Sequence, residues 1–260
     1  MKYGFIGCGN MGGALAAAAA KAVGGENLYL ADCDAAKAAA LAQQLGAQAS
    51  TNEVIAQTCD YIVLGVKPQM MRQVVEALPL AGSPVLVSMA AGLELQTLKP
   101  MARAGLSWIR MMPNTPVAVG EGRILYAADA TTEEKEGFKK LFSCAGELYE
   151  LDEKLIDAGS ALSGCGPAFV YQFIEALADG GVACGLPRGL ATELAAGTLL
   201  GASKTLLETG AHPGALKDAV CSPGGSTIMG VKALEEGGMR SAAINAVIQA
   251  YHKTKELGGK

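Results

Sequence analysis

Histidine is almost missing from this sequence. Two occur in 260 residues, His212 and His252, and neither stands at ligand spacing from another histidine or a cysteine, so no metal site and no histidine-centred hydrolytic triad is expected. Excess positive charge is missing too. Against 25 acidic residues stand 21 Lys and Arg, a net charge of −4 with no basic arm in either half, which argues against nucleic acid or an anionic membrane as a partner. No cysteine pair has C-x-x-C spacing; the seven cysteines are odd in number and the chain is long enough to fold without staples, so a reducing, cytoplasmic setting is expected. No run approaches the ~20 uninterrupted apolar residues of a transmembrane helix. Lys2 followed by Ala14 to Ala20 has the outline of a short secretory signal, but Asn10 and five glycines between Gly4 and Gly13 interrupt it, and no signal peptide is expected.

Apolar residues are present in quantity, at 50%, together with 34 glycines that follow no Gly-X-Y period. This is a globular composition with many tight turns. Residues 2–6 read as a buried strand that enters a glycine turn, and 10–22 as an alanine-rich helix. Asn27 to Ala31 reads as a second strand, followed by helical spacing at Ala38, Leu41 and Leu45. The continuous apolar runs 61–66 and 85–87 suit parallel strands covered on both faces. Further strands are expected at Ser107 to Met111, Ile124 to Ala127 and Leu148 to Glu150, with a helix near Glu133 to Phe142. The expectation is an α/β N-terminal Rossmann domain with a doubly wound, mostly parallel sheet, over residues 1–151.

From residue 152 to 260 strand signals stop and helical periodicity takes over, as at Val170, Phe173, Ile174 and Leu177 and again at Ile244, Val247, Ile248 and Tyr251. Leu186 to Leu207 is apolar around most of its circumference, with Pro187 read as the first helical residue. Either a homodimer interface or the central helix of a monomeric bundle accounts for that.

Gly7-Cys8-Gly9-Asn10-Met11-Gly12 lies between the first strand and first helix. Gly7 suits the tight turn, Gly9 lets a pyrophosphate reach the backbone, and Gly12 lets helix and strand pack closely, with free N–H groups at the helix start. Asp32 follows Gly12 by twenty residues. A carboxylate there accepts hydrogen bonds from an adenosine ribose and repels a 2′-phosphate, so NADH is expected to be accepted. Asp34 is the candidate cap of the next helix. Val66-Lys67-Pro68, Met89-Ala90-Ala91-Gly92 and Met112-Pro113-Asn114 each follow a strand, where open α/β sheets bind ligands. Lys67 is read as a solvated or cofactor-contacting lysine, and Asn114 as a cofactor contact or an Asx-turn. In the helical half, Cys221-Ser222-Pro223-Gly224-Gly225-Ser226-Thr227 precedes a helical stretch to Glu236; hydroxyls at a helix start form an anion pocket, or Ser222 or Ser226 is an ordinary cap. Leu162-Ser163-Gly164-Cys165-Gly166-Pro167 is a second small-residue turn before a helix.

These motifs, above all His212-Pro213-Gly214, Leu216-Lys217-Asp218 and Cys221 to Ile228, closely resemble the pyrroline-5-carboxylate reductase family along essentially the whole chain. The resemblance implies hydride transfer from NADPH or NADH to the C=N carbon of L-1-pyrroline-5-carboxylate, giving L-proline. It also implies a helical domain that interlocks with a second subunit, and dimers that assemble into a decamer. By the motif match, Thr227 and Ser222 serve the chemistry, Thr227 at the ring nitrogen and Ser222 with Gly224, Gly225 and Ser226 around the substrate carboxylate. Ser163 and Gly164 lie beside the ring, and Glu153 and Ala219 near the substrate. Ile6 to Gly12, Asn52, Val66 to Pro68, Ala90, Ala91, Gly92 and Asn114 are carried over as cofactor contacts. Cys165 departs from the serine of many relatives. A hydroxyacid dehydrogenase would need Lys217 or Lys232 as its acid/base, and a dinucleotide-binding sensor would need no substrate site at all.

Overall fold

Apolar runs become strands buried on both faces. A computed structural model describes residues 1–257, beginning with β1 (Tyr3–Ile6), α1 (Asn10–Val23), β2 (Leu28–Ala31), α2 (Ala35–Leu45), β3 (Gln48–Ala49), α3 (Asn52–Thr58) and β4 (Tyr61–Leu64). Next come α4 (Met71–Glu76), β5 (Val85–Ser88), α5 (Leu95–Leu98), β6 (Trp108–Met112), β7 (Gly122–Asp129), α6 (Thr132–Leu141), β8 (Gly146–Glu150) and α7 (Glu153–Ser163). One sheet runs β3-β2-β1-β4-β5-β6-β7-β8, antiparallel at the β6–β7 pair alone among its pairs. The doubly wound, mostly parallel architecture is as expected.

Each face has its own core. Phe5, Leu28, Leu30, Val63, Val87 and Ile109 meet α1 and α6 residues such as Leu15 and Phe138, while Ile6, Ile62, Leu64, Leu86 and Trp108 meet Ile55 and Met71 of α3 and α4. Burying one such leucine or phenylalanine side chain contributes about 1.5–3 kcal/mol, and the buried alanines of α1, Ala16, Ala18 and Ala19, let that helix lie close to the sheet. α2 starts where expected: Asp34 accepts from the N–H groups of Ala36 at 3.1 Å and Lys37 at 3.2 Å, satisfying two orphan donors. The strand expected over 61–66 stops at Leu64, because Gly65 and Val66 already belong to the turn. β3 has two residues, too few for any period to register.

Packing divides the chain later than residue 151. The first compact unit is Met1–Cys165 with the chain from Ala250 on, and the second is Gly166–Gln249. α7 belongs to the first because Ile156 is buried against Leu125 and Ala127, and a Cβ on Gly159 would meet the Leu125 side chain at 2.5 Å.

The second unit is helical: α8 (Gly166–Ala183), α9 (Arg188–Thr209), α10 (Pro213–Ala219), α11 (Ser226–Glu236) and α12 (Met239–Leu257), the last continuing into the first unit. α8 and α9 pack through small residues, Ala178 against Ala191 and Ala195, with Ile174 and Val182 alongside. Pro187 is the residue before α9 rather than its first, with extended backbone at ψ 140°. Leu190, Leu194, Leu200 and Leu207 of α9 are exposed. A monomeric bundle with α9 at its centre is thereby ruled out.

Candidate functional site

In the first unit the sheet order reverses between β1 and β4, and the crevice beyond their carboxyl ends is where such sheets bind ligands. Gly7 N donates to Ala31 O at 2.8 Å and Gly65 N to Ile6 O at 2.8 Å, continuing the β1–β2 and β1–β4 pairings to the rim of that crevice. Gly7 has φ +100°, which L side chains rarely adopt. A Cβ there would lie 2.6 Å from Gly65 O, and one on Gly12 would fall on the Gly7 carbonyl oxygen. Above Gly9 no atom lies within 4 Å of a would-be Cβ. That backbone is open to a ligand, and α1 begins beside it with no side-chain cap on its first N–H groups, a combination that attracts phosphate.

The crevice encloses about 540 Å³ and brings together Ile6, Gly7, Gly9, Asp32, Asn52, Val66 and Lys67, a size suited to part of a dinucleotide. Sequence reasoning missed several of its walls: Ala35 on one side, Ser50, Thr51 and Glu53 beyond β3, and Met70 and Val74 by α4. The short β3 hid the middle group; the cap Thr51, which accepts from Val54 N at 3.4 Å, is the signal that marks it. Asn10 is exposed at the start of α1 while Met11 is half-buried behind it. Lys67 is exposed and precedes a 3-10 turn over Pro68–Met70. After β5, Ala90 is buried, its N–H donating to Ser88 Oγ at 3.3 Å, Ala91 is half-buried and Gly92 adopts φ +76°.

Asp32 is anchored. Its Oδ2 accepts from Cys8 N at 2.6 Å and its Oδ1 from Asp34 N at 2.9 Å, leaving further lone pairs on both oxygens for a ribose. Burial alone lifts this carboxyl, but the N–H groups of Asp34 and Cys8, the Cys33 thiol and the Lys37 charge outweigh it and hold it below the usual aspartate range. It is an anion at neutral pH. Cys8 is the opposite case, since burial first, and the Asp32 charge next, push its thiol up to about 11.

Asn114 has a different task from the one expected. Its amide is buried and used at both ends: Oδ1 accepts from Arg123 N at 2.9 Å and Nδ2 donates to Ser163 O at 2.9 Å. Both ends of the side chain are thus tied to the main chain of this unit. Glu153 is likewise engaged, its Oε1 accepting from Leu95 N at 2.6 Å and lying 3.5 Å from Arg110 Nη1. Arg110 was missed entirely. It is fully buried in β6 and hydrogen-bonds Asp157 through Nη2, while its Nε and Nη1 have no hydrogen-bond partner. The Glu153 contact is therefore charge attraction without hydrogen-bond alignment. Ser163 Oγ donates to Gly159 O at 3.0 Å. Beside it, Gly164 has no room for a Cβ, which would lie 2.7 Å from Ser160 O.

In the second unit, α10 is capped by His212, whose Nδ1 accepts from Gly214 N at 3.1 Å. Ala219 ends that helix, and Cys221 N donates to Asp218 O at 3.0 Å. A turn follows in which Gly225 N donates to Ser222 O at 3.0 Å, with Pro223 second and Gly224 third at φ +69°, the pattern of a type II turn. Neither Ser222 nor Ser226 is the cap of α11. The N-cap is Gly225, and no side chain bonds the first N–H groups. A Cβ on Gly225 would collide with Ser222 Oγ, so this glycine lets the hydroxyl lie over the helix start. Ser222, Ser226 and Thr227 are exposed, at the end that favours an anion. Lys217 pairs with Asp218 at 2.6 Å and Lys232 with Glu236 at 3.4 Å, which leaves neither placed as a lone dehydrogenase acid/base.

Comparison with known proteins adds names to this geometry. Residues 153–257 match the family model for pyrroline-5-carboxylate reductase dimerisation, and residues 2–92 match one described as NADP oxidoreductase coenzyme F420-dependent. The chain is 43% identical to pyrroline-5-carboxylate reductase of Methanosarcina acetivorans, over 100% of this chain and 98% of that one. It is 41% identical to the Escherichia coli enzyme of the same name over 98% of each. Among solved structures, pyrroline carboxylate reductase from Plasmodium falciparum with NADP bound superposes with a TM-score of 0.88 at 35% identity, covering 99% of this chain and 98% of that one.

Proposed function

The chain belongs to the pyrroline-5-carboxylate reductase family, and from that premise we propose that it reduces L-1-pyrroline-5-carboxylate to L-proline with NAD(P)H. The observation that carries the reading is the exposed start of α11, where unbonded N–H groups and the hydroxyls of Ser222, Ser226 and Thr227 gather behind a Pro-Gly turn. A ring carboxylate suits such a nest.

The glycine crevice fits a dinucleotide, because Gly9 leaves its backbone open and α1 offers uncapped N–H groups. Gly7 to Gly12 would hold the pyrophosphate, Asp32 and Asn52 the adenosine half, and Val66, Lys67, Pro68 and Ala90 to Gly92 the remainder. When bound, the reduced nicotinamide supplies the hydride for the imine carbon. The chain's own residues do the positioning. Ser222, Gly224, Gly225 and Ser226 hold the carboxylate; Thr227 bonds the ring nitrogen; Ser163 and Gly164 line the ring, with Glu153 and Ala219 nearby. A protonated imine is already a strong electrophile, so orientation supplies much of the rate enhancement. Thr227 is too weak an acid to be the proton source, and its role is orientation, while the proton comes from water or arrives on an already protonated substrate.

The anchored Asp32 carboxylate favours NADH over a cofactor carrying a 2′-phosphate. Residues from 152 on would bind substrate and form the homodimer, in keeping with the dimerisation match, and the resemblance extends this to a decamer. The setting is cytoplasmic, with neither membrane nor nucleic acid as a partner; among the described residues no helix is long and apolar enough to cross a membrane. The deciding assay follows oxidation of NADH and of NADPH with pyrroline-5-carboxylate and with piperideine-6-carboxylate. Turnover with the first imine, at an NADH KM comparable to or below that for NADPH, is expected. NADH binding without turnover would replace the enzyme by a sensor.

A further inference from the structure

Asn114 follows β6 by two residues and occupies the N-cap position of a 3-10 turn over Thr115–Val119, yet its side chain makes no capping bond there. Asparagine is among the best caps, so the structure spends this amide elsewhere. Nδ2 reaches the main-chain carbonyl of Ser163, 49 positions along the chain, and Oδ1 takes Arg123 N. Ser163 is the last residue of α7. Helix ends leave carbonyls without partners, and the two N–H groups that follow, Gly164 and Cys165, both go to Ser160 O, at 2.7 and 3.2 Å. Asn114 supplies what the backbone does not.

The same strand grips the same helix farther back. Arg110 lies in β6 four positions before Asn114, hydrogen-bonds Asp157 and attracts Glu153, one helical turn apart on α7. α7 is therefore fastened near its start, at its middle and at its last residue from one strand end, and Gly159 lets it lie against β7 without a gap.

We propose that Asn114 is a positioning residue for the imine substrate, fixing through the Ser163 carbonyl the height and tilt of the Ser163–Gly164 turn, and that its side chain does not serve the cofactor. This rests on the reading above that the turn lines the substrate ring. One partly buried hydrogen bond holds the Asn114 amide to Arg123 N and the other carries that anchor to the Ser163 carbonyl, and misplacement of a reacting group by about an ångström is enough to cost rate.

The test uses the full-length oligomer and two readouts: the NADH dissociation constant from fluorescence titration and the KM for pyrroline-5-carboxylate. Asn114→Asp keeps the acceptor for Arg123 N but sets a carboxylate oxygen against the Ser163 carbonyl, breaking one tie selectively. A rise in imine KM of about tenfold or more, with NADH affinity within about twofold of wild type, is expected. Asn114→Ser, uncharged and too short to span both partners, should repeat that split and keeps the test open if the aspartate does not fold. A tenfold loss of NADH affinity with imine KM unchanged would overturn the proposal and make Asn114 a cofactor ligand; no change in either would equally overturn it. Wild-type enzyme inactive on pyrroline-5-carboxylate would refute the function and this inference together, whereas an active wild type with indifferent variants refutes the inference alone.

Discussion

The two units of this chain solve the burial problem in opposite ways. In the first, large side chains such as Trp108, Phe138 and Phe142 are wholly enclosed by the chain's own helices. In the second, the fully buried apolar residues are alanines, while Tyr171 (61% exposed), Leu200 (69%) and Leu207 (68%) stand in the open. A helical unit that leaves its leucines outside has not finished folding alone, and the match to a dimerisation family over residues 153–257 says what finishes it. The first unit encloses its large apolar side chains, and the second leaves them exposed.

The largest effect should come from charging that open face. On a free surface a substitution changes stability by no more than about 0.5 kcal/mol, so Leu200→Arg with Leu207→Arg would be harmless in a monomer. Covered by a second copy, the pair should dissociate the oligomer in light-scattering chromatography and abolish turnover. An intact, active oligomer would show that this face is not the interface. The mirror experiment is Phe138→Ala in the first unit, where about 3–5 kcal/mol should be lost in urea unfolding with no change of oligomeric state.

Next in size are substitutions that separate the units by task. Thr227→Ala should lower kcat/KM for pyrroline-5-carboxylate by about ten- to a hundredfold, the worth of a hydrogen bond to a charged group, with NADH affinity untouched; an unchanged kcat/KM would remove Thr227 from the ring nitrogen. Asp32→Ser should do the reverse, leaving imine KM alone and moving the ratio of NADPH to NADH specificity by about tenfold towards NADPH. If the ratio stays put, Asp32 serves Cys8 N and Asp34 N alone.

The same contrast separates what could be read in the sequence from what could not. Gly7 to Gly12, Asp32 and the Asp34 cap were legible because each acts through a few neighbouring residues at fixed offsets. The Pro223-Gly224 turn was legible for the same reason, although the cap of α11 proved to be Gly225 rather than a serine. Arg110 was not, since a charge amid Trp-Ile-Arg-Met-Met looks like a flaw in a strand until Asp157, far along the chain, neutralises it. The ties of Asn114 to Ser163 and Arg123 were not legible either, because its position suits a cap and one partner lies in α7. The end of the strands at Glu150 suggested the domain boundary, and the dimerisation match begins at residue 153; the packing of α7 through Ile156 and Gly159 onto β7 is a contact that a helical period alone does not assign to either side. The walls at Ser50, Thr51 and Glu53 were hidden by a strand two residues long.

The smallest effect distinguishes the units by pH. Asp32 in the first unit has a folded-state carboxyl below its ordinary value, so the folded protein binds fewer protons there than the unfolded chain. Its contribution is complete above the ordinary aspartate range and is lost as pH falls through the depressed value. Lys217 in the second unit is raised by the Asp218 carboxylate that accepts from it, so its contribution is complete below the ordinary lysine range and disappears as pH climbs through the raised value. Asp32→Asn should therefore flatten the acid limb of thermal stability and leave the alkaline limb alone, while Lys217→Met should do the converse. Both groups are partly or fully solvated, and each change should amount to a few degrees in Tm or less. An Asp32→Asn protein whose acid limb matches wild type would mean that the N–H groups of Cys8 and Asp34 do not hold the Asp32 carboxyl below its unfolded value.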